Sequence, residues 1–224
     1  MRLSIIVPIL NEAEALPGLL DQCSRLQNQG CEVVLVDGGS DDGSVALAHA
    51  RGVKVVAAPR GRARQMNAGA TQSTGELLLF LHADTRLSDQ CLEQLKHHLN
   101  LTPVVWGRFN VRISGRSVML PIIARLMNLR SRLSGIATGD QAIFISRVAF
   151  DQVGGFPDQP LMEDIEISKR LRKLAAPFCL PGLVITSGRR WDKNGPWKTI
   201  FLMWQLRWAY WRGTSAETLA RRYR

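Results

Sequence analysis

The 224-residue chain has no long run of uncharged residues, and this absence argues against a membrane-spanning helix. The longest stretch without Asp, Glu, Lys or Arg is residues 174–188, which holds 15 residues and two prolines. A spanning helix needs about 20 apolar residues. The apolar run at residues 3–10 is followed by Asn11-Glu12 where a small-residue cleavage site would stand, so we predict no signal peptide.

Cysteine is also scarce, and its four positions contain no C-x-x-C pair. This argues against a zinc site or a disulfide framework and favours free thiols in a reducing cytoplasm. Two nucleotide-binding signatures are missing as well. No G-x-G-x-x-G follows the first predicted strand, and no G-x-x-x-x-G-K-[ST] occurs. These gaps disfavour an NAD-type dinucleotide site and a P-loop.

Acidic residues are in the minority, with 19 Asp and Glu against 29 Lys and Arg and a net charge of +10. The excess lies in the second half. Residues 102–139 hold six arginines and no acid, and residues 186–224 hold nine Lys and Arg against two acids. Such a surface predicts an anionic partner. Its placement favours a phosphorylated or membrane-proximal partner over nucleic acid.

The first hundred residues alternate between short apolar runs and amphipathic segments. Four alternations predict βαβ units, that is, a mostly parallel sheet flanked by helices, in an α/β protein. Ligands of such sheets bind beyond the carboxyl ends of the strands. The predicted strands are 3–7, 31–36, 53–57, 77–81, 104–113, 142–145 and 178–186, and the predicted helices are 14–29, 44–50, 63–70, 88–99, 119–133, 163–174 and a tail from 197.

Polar residues stand after the first two predicted strands. Asn11 and Glu12 can hydrogen-bond a base or a ribose, although Asn11 followed by Glu14 is also the pattern of a helix capping box. Asp37 can accept from a ribose or a base N–H. The alternative for Asp37 is a glycine-rich turn in which an aspartate at position 41 or 42 caps the next helix.

Charged residues follow the next two strands. Arg60, Arg62 and Arg64 stand at a predicted helix start, where an anion such as a diphosphate would bind; the alternative is a solvated basic face. After the fourth strand, Asp84 is placed to hold a divalent cation such as Mg²⁺ or Mn²⁺. His82 is either a second metal ligand or a wall of the pocket.

An acidic pair, Glu163 and Asp164, opens a predicted helix after a Gly-Gly-Phe-Pro segment. Adjacent carboxylates raise one another's pKa, so one of them can act as a general base. The alternative is that both only stabilise the helix N-terminus.

These segments together resemble the family 2 inverting glycosyltransferases, in order and in spacing, over roughly residues 3–195. The chain also resembles a smaller subgroup labelled arsenosugar-biosynthesis-type, or selenodomain-associated, glycosyltransferases, through its short length, its His-Ala-Asp form and residues 186–191. The segments that carry the family likeness are Ser4–Pro8 with Asn11-Glu12, Val36–Ser40 with Asp42-Gly43, Phe80–Asp84, Gly154–Phe156 and Glu163-Asp164.

The resemblance implies a GT-A fold with a mostly parallel, Rossmann-like sheet and a helical C-terminal tail. We predict one domain over residues 1–224. Within it, residues 1–100 would form the nucleotide-sugar-binding half, residues 101–195 the acceptor half, and residues 196–224 a basic aromatic helical tail.

The resemblance also implies roles for individual residues. Asp164 would be the catalytic base with Glu163 beside it, and Asp84 would hold the metal, Mn²⁺ or Mg²⁺, on the donor's diphosphate. The predicted nucleotide-sugar-binding residues are Pro8, Asn11, Glu12, Asp37, Arg60, Arg64, Asn67, His82 and Ala83, and those of the acceptor or diphosphate loop are Asp140, Arg189, Arg190 and Trp191.

Two positions depart from the family pattern. Gly38 stands where many members have a second aspartate, which leaves the preference for uracil open. His82 stands where the first aspartate of the D-x-D motif often is, which indicates weaker metal affinity or a preference for Mn²⁺.

Two other functions compete with glycosyl transfer to a hydroxyl acceptor. One is a nucleotidyltransferase, which would normally carry a glycine-rich basic loop after the first strand. The other is a non-catalytic basic module that binds nucleic acid or a membrane surface.

The aromatic residues of the tail recur every three or four positions, from Trp197 to Trp211. They fit packing on the domain, packing across a homodimer, or peripheral contact with a membrane. We therefore expect a cytoplasmic protein, at the inner face of the membrane if the tail touches lipid.

Overall fold

The computed structural model describes residues 2–101 and 105–223. Their strands are β1 (Leu3–Ile9), β2 (Glu32–Asp37), β3 (Lys54–Ala57), β4 (Leu77–Phe80), β5 (Thr85–Arg86), β6 (Trp106–Ser114), β7 (Ile143–Ser146) and β8 (Phe178–Ser187). Their helices are α1 (Leu16–Asn28), α2 (Ser44–Ala50), α3 (Arg62–Gln72), α4 (Asp89–Leu101), α5 (Leu120–Ser134), α6 (Arg147–Gln152), α7 (Glu163–Leu171), α8 (Arg189–Asn194), α9 (Pro196–Trp211) and α10 (Ala216–Tyr223), with a 3-10 turn at Gly139–Gln141.

All the strands form one sheet in the order β3-β2-β1-β4-β7-β6-β8-β5. The first four in chain order, β1 to β4, run parallel, whereas β7 pairs antiparallel with both β4 and β6. β6 and β8 run parallel, and short β5 pairs antiparallel with β8 at the edge. The sheet is therefore a parallel nucleus extended by strands of mixed direction.

Both faces of the sheet are covered, because successive residues of a strand point to opposite sides. In β1, Ile5 and Val7 pack with α1, α4 and α5 in one core cluster, and Ile6 packs with α3, α6 and α7 in the other. This two-sided burial explains why the strands read as continuous apolar runs.

The tail consists of two helices instead of one. α9 and α10 pack through Leu206 and Leu219 on Met162, the residue just before the acidic pair. The residues Trp197, Phe201, Trp204, Trp208 and Trp211 are all exposed, so the interpretation that this aromatic set packs on the domain is wrong.

The predicted α/β architecture is confirmed, with element boundaries shifted by a few residues. Sequence patterns missed β5, α6, α8, α10 and the 3-10 turn, all of them short. The predicted start of one strand at residue 104 lies outside the described residues. None of the helices in the described part of the chain is long and apolar enough to cross a membrane.

Candidate active site

The loops after β1 and β2 hold each other in place. The Asn11 side-chain oxygen accepts from the Asp41 N–H at 3.0 Å, and the Asn11 N–H donates to Ser40 Oγ at 2.9 Å. The capping box of Asn11 and Glu14 does not form, because α1 begins only at Leu16. Asn11 thus joins two loops at the carboxyl edge of the sheet.

Asp37, at the end of β2, is buried and turns inward on its own loop. Its carboxylate accepts from the N–H groups of Gly39 and Ser40 and from the Ser40 hydroxyl. Asp42 accepts from the N–H of Ser44 at the first position of α2. The glycine-rich turn is therefore formed, and Asp37 is its organising acceptor.

A residue that sequence reasoning passed over, Gln65, closes the same edge. Its buried side-chain N–H₂ donates to the carbonyl oxygens of Ile9 and Val36, each at 2.8 Å. A Cβ on Gly38 would lie 3.0 Å from the Gln65 amide atoms. The space that a second aspartate would need is thus partly filled by Gln65, which gives Gly38 a structural reason.

Among the three arginines near the start of α3, Arg62 is the one that reaches the acidic pair. Arg62 Nη1 lies 3.4 Å from Glu163 Oε1. Arg64 instead pairs with Asp158 at the surface, Nε to Oδ1 at 2.7 Å, and Arg60 is exposed. Assignment of Arg60 and Arg64 to the donor stays a prediction.

Three other residues predicted to bind the nucleotide sugar make contacts within the fold. The Asn67 amide donates to the Phe156 carbonyl at 2.8 Å and accepts from the Phe156 N–H at 2.9 Å, which fixes the Gly-Gly-Phe segment to α3. Pro8 is a half-buried residue of β1, in register with Val36 of β2. Ala83 packs, partly buried, against the larger core cluster.

Short strand β5 positions Asp84. Thr85 pairs with Thr186 of β8, and their hydroxyls are 3.1 Å apart. This pairing brings Arg189 to Asp84 and Glu12, with Nη2 4.0 Å from Asp84 Oδ2 and 3.7 Å from Glu12 Oε2. Burial raises the pKa of Glu12 and the charge of Asp84 adds to the rise, while Arg189 opposes it. Two carboxylates and one cation therefore converge.

His82 faces the 3-10 turn. Its Nδ1 lies 3.3 Å from Asp140 Oδ1, and its buried Nε2 has no hydrogen-bond partner among the described residues. A Cβ on Gly139 would approach that Nε2 to 2.2 Å, so only glycine fits there. Burial acts to raise the pKa of Asp140, but the hydrogen bond with His82 and nearby arginine charges lower it.

Asp164 lies in the first turn of α7. Its two carboxylate oxygens accept from the Gly139 N–H at 3.1 Å and the Ile165 N–H at 2.7 Å. Burial raises the pKa of Asp164 to about 6, and the neighbouring carboxylate of Glu163 adds to the rise. The Asp164 carboxylate is thus more basic than that of an ordinary aspartate.

Two arginines place positive charge near Glu163 and Asp164. Burial acts to lower the pKa of Arg62, but Glu163, Asp140 and Asp164 outweigh it and raise the pKa. For Arg130 of α5, burial lowers the pKa, and the charges of Asp164 and Asp140 only partly offset this. Its buried Nε and Nη2 have no partner within the described ranges.

The predicted loop residues Arg189, Arg190 and Trp191 each make a different contact. Arg189 goes to Asp84, as above, and Trp191 packs partly buried against the larger core cluster. Arg190 lies over the ring of Tyr223, 3.6 Å from its centroid, and donates to the Tyr223 carbonyl at 2.9 Å. Burial raises the pKa of Tyr223, while the charges of Arg190 and Arg62 lower it.

Backbone strain also gathers here. In the described parts of the chain, the non-glycine residues with positive φ are Asn11 (53°), Ala142 (47°) and Met162 (67°). Asn11 precedes Glu12, Ala142 follows the 3-10 turn, and Met162 precedes the acidic pair. Such conformations cost about 1–3 kcal/mol each and cluster at functional sites.

The residues present fit a cation that is shared with a ligand. Across residues 2–101 and 105–223, no three His, Cys, Asp or Glu side chains converge to cage a metal. Mg²⁺ and similar hard cations, however, commonly take one or two carboxylates and complete their shell with substrate phosphates. Asp84, a carboxylate oxygen donor at the sheet edge next to Glu12, suits that arrangement.

Comparison with known proteins identifies the family. Residues 4–152 match the model of Glycosyl transferase family 2. An undecaprenyl-phosphate 4-deoxy-4-formamido-L-arabinose transferase of Yersinia pestis (strain Pestoides F) is 32% identical over 107 residues, 43% of this chain and 33% of that protein. The chain spans about a third of the length of the curated relatives it matches.

Solved structures share the fold. The mannosyltransferase PcManGT from Pyrobaculum calidifontis, in complex with GDP-Man and Mn²⁺, has a TM-score of 0.64 at 21% identity and covers 93% of this chain and 61% of its own. S. aureus TarS 1-349 in complex with UDP-GlcNAc has a TM-score of 0.64 at 16% identity and covers 84% and 58%. The fold is GT-A, and the chain belongs to glycosyltransferase family 2.

Proposed function

We propose that the protein is an inverting glycosyltransferase that moves a sugar from a nucleoside-diphosphate sugar to a hydroxyl acceptor. The observation that carries this proposal is the Asp164 carboxylate, which is anchored by two backbone N–H groups and has a pKa of about 6. A base poised near neutrality is suited to take a proton from a hydroxyl.

The proposed reaction is a single displacement. Asp164 takes the proton from the acceptor hydroxyl while that oxygen forms a bond to the anomeric carbon. The bond between the anomeric carbon and the diphosphate breaks on the opposite side, so the nucleoside diphosphate leaves with the electron pair and the configuration inverts. Arg189, next to Asp84, is placed to oppose the charge that develops on the leaving group.

The proposal includes Mn²⁺ or Mg²⁺ held by Asp84 together with the donor's diphosphate. When bound, such a cation neutralises charge on the leaving oxygen. Support comes from the Asp84 carboxylate at the carboxyl edge of the sheet, with Glu12 nearby, and from PcManGT, which was solved with GDP-Man and Mn²⁺.

We also propose that the acceptor carries a negative charge of its own. Arg130 supports this, because its buried Nε and Nη2 are unpaired among the described residues and its charge acts on Asp164. A relative named as an undecaprenyl-phosphate transferase points the same way. The four free thiols fit a cytoplasmic location. We also propose membership of the arsenosugar-type subgroup, which rests on sequence likeness alone.

The test is the Asp164→Asn variant, with Asp151→Asn, an exposed carboxylate of α6, as the matched control. Screening nucleotide sugars with Mn²⁺ and Mg²⁺ by thermal shift would first identify the donor. We expect transfer by Asp164→Asn to fall about 10²- to 10⁴-fold, with donor affinity within twofold of wild type by calorimetry. Near-wild-type transfer, or a product whose anomeric signal in NMR shows retention, would refute the mechanism.

A further inference from the structure

The exposed apolar side chains of this protein are concentrated on two helices. Of the fourteen large hydrophobic residues exposed in the described part of the chain, ten lie on or directly before α5 and α9. We call these ten residues the apolar stripe: Val118, Ile122, Leu126, Leu129 and Leu133 near α5, and Trp197, Phe201, Trp204, Trp208 and Trp211 on α9.

Each half of the stripe follows one side of its helix, because the residues recur at intervals of three and four. The α5 residues are 48–87% exposed and the α9 residues 62–76% exposed. The segments that lead into the two helices meet, since the Arg116 N–H donates to Asp192 Oδ1 at 3.0 Å. Ten large apolar side chains exposed on two helices are unusual for a protein surface, where larger exposed apolar patches mark interaction sites.

α9 is apolar on its inner side as well. Leu206 is 2% exposed, and Leu202, Met203 and Tyr210 pack with it in the cluster around Met162. A helix that is apolar on all sides is normally buried in a protein or in lipid. The outer side of α9 has no covering element among the described residues, so this side is open to an external partner.

Charge identifies the partner. The residues that flank the stripe are basic, with Arg125 and Arg132 on α5 and Lys198 and Arg212 around α9, and residues 116–135 and 193–216 contain no acid. A twofold dimer through this face would bring the cations of one copy close to those of the other, which is unfavourable. An anionic lipid surface has the complementary charge and attracts Lys and Arg side chains that come near it.

We propose that the apolar stripe docks on the surface of an anionic lipid bilayer, with α5 and α9 lying in the headgroup region. Tryptophan is the side chain most typical of that region, where its ring meets both lipid and water. α9 also packs on Met162, so docking would place the acidic pair about one helix diameter, roughly 10 Å, from the bilayer.

The test is co-sedimentation of the full chain with vesicles, and it does not depend on transferase activity. Wild type is expected to bind vesicles of phosphatidylglycerol and phosphatidylcholine, and to bind pure phosphatidylcholine at least tenfold more weakly. The Trp204→Ser/Trp208→Ser variant should lose at least tenfold in partition to anionic vesicles. Leu47→Ser/Val148→Ser, which removes two exposed apolar residues outside the stripe, should bind as wild type does.

Circular dichroism and thermal unfolding would establish that both variants are folded, as expected for exposed positions. The proposal is overturned if wild type stays in the supernatant with anionic vesicles at low salt. It is also overturned if light scattering shows a dimer that Trp204→Ser/Trp208→Ser dissociates while vesicle binding is absent. Either result leaves the proposed sugar transfer untouched.

Discussion

Polar groups are paired with one another in the loops after β1 and β2, but several remain unpaired in the charged cluster around Asp164. In the loops, Asp37 meets three donors and Asn11 joins two segments, so the polar groups satisfy one another. In the cluster, His82 Nε2 and Arg130 Nε and Nη2 have no hydrogen-bond partner in the described chain, and Asp164 is held at a raised pKa. The loops therefore satisfy their own polar groups, whereas the cluster retains unpaired groups of the kind that our proposal assigns to ligand binding.

The largest expected effect tests the charged cluster around Asp164. Arg130→Met removes a half-buried cation whose Nε and Nη2 have no hydrogen-bond partner among the described residues, while keeping a long side chain, so kcat/KM for the acceptor should fall about 100-fold, the loss of a charged hydrogen-bond partner. Stability in urea should change little, because no hydrogen bond of those two nitrogens is lost. An exposed control, Arg51→Met, should change neither quantity; a large drop in stability of Arg130→Met would mean that the cluster is structural like the loops.

The next effect tests the hydrogen-bonded loops after β1 and β2. Asp37→Ala leaves the N–H groups of Gly39 and Ser40 without their acceptor, so we expect a loss of about 2 kcal/mol in the free energy of unfolding. Urea denaturation measures it, with Asp41→Ala as the exposed neighbour control. If both variants lose the same stability, the inward bonds of Asp37 do not hold the loop.

A smaller effect concerns pH. As the proposed base, Asp164 acts in its ionised form, and a pKa of about 6 depletes that form as pH falls below 6. We therefore expect kcat/KM, which reports the ionisations of the free enzyme, to be level above pH 7 and to fall about tenfold at pH 5. Initial rates from pH 5 to 8, with folding checked by circular dichroism at each pH, provide the measurement. A rate that stays level down to pH 5 would remove Asp164 as the base.

The smallest expected effect lies at the sheet edge. Gly38→Ala places a Cβ 3.0 Å from the Gln65 amide, so it should cost about 1 kcal/mol. Combining it with Gln65→Ala frees the space, and a double-mutant cycle should show coupling of at least 0.5 kcal/mol. Additive losses would show that Gln65 does not account for glycine at position 38.

Much of the fold could be read from the sequence. The four apolar runs predicted β1 to β4, because strands buried on both faces must be continuously apolar. The same runs located the loops that carry Asp37 and Asp84, and the loop after β1 that carries Asn11 and Glu12. Short elements such as β5 and the 3-10 turn gave no periodic signal, yet β5 is what brings Asp84 to Arg189.

Side-chain direction was the main source of missed site residues. Arg62 and Arg64 are two positions apart on α3, about 200° around the helix, so one reaches Glu163 and the other Asp158 at the surface. Nothing in the sequence distinguishes them. Arg130 had a weak signal, since it lies in a segment of six arginines and no acid, but its neighbours Asp140 and Asp164 are distant in the chain.

The sequence by itself determined the parallel nucleus, the order of the loops and which residues of the tail share one side of a helix, because these follow from local periodicity. Only the tertiary structure decided that Gln65 fills the space beside Gly38, that Gly139 and Asp164 meet, and that the tryptophans of α9 face outward while Leu206 faces the core. Periodicity fixes which side chains lie together on a helix, but only packing against distant segments selects the side that is buried.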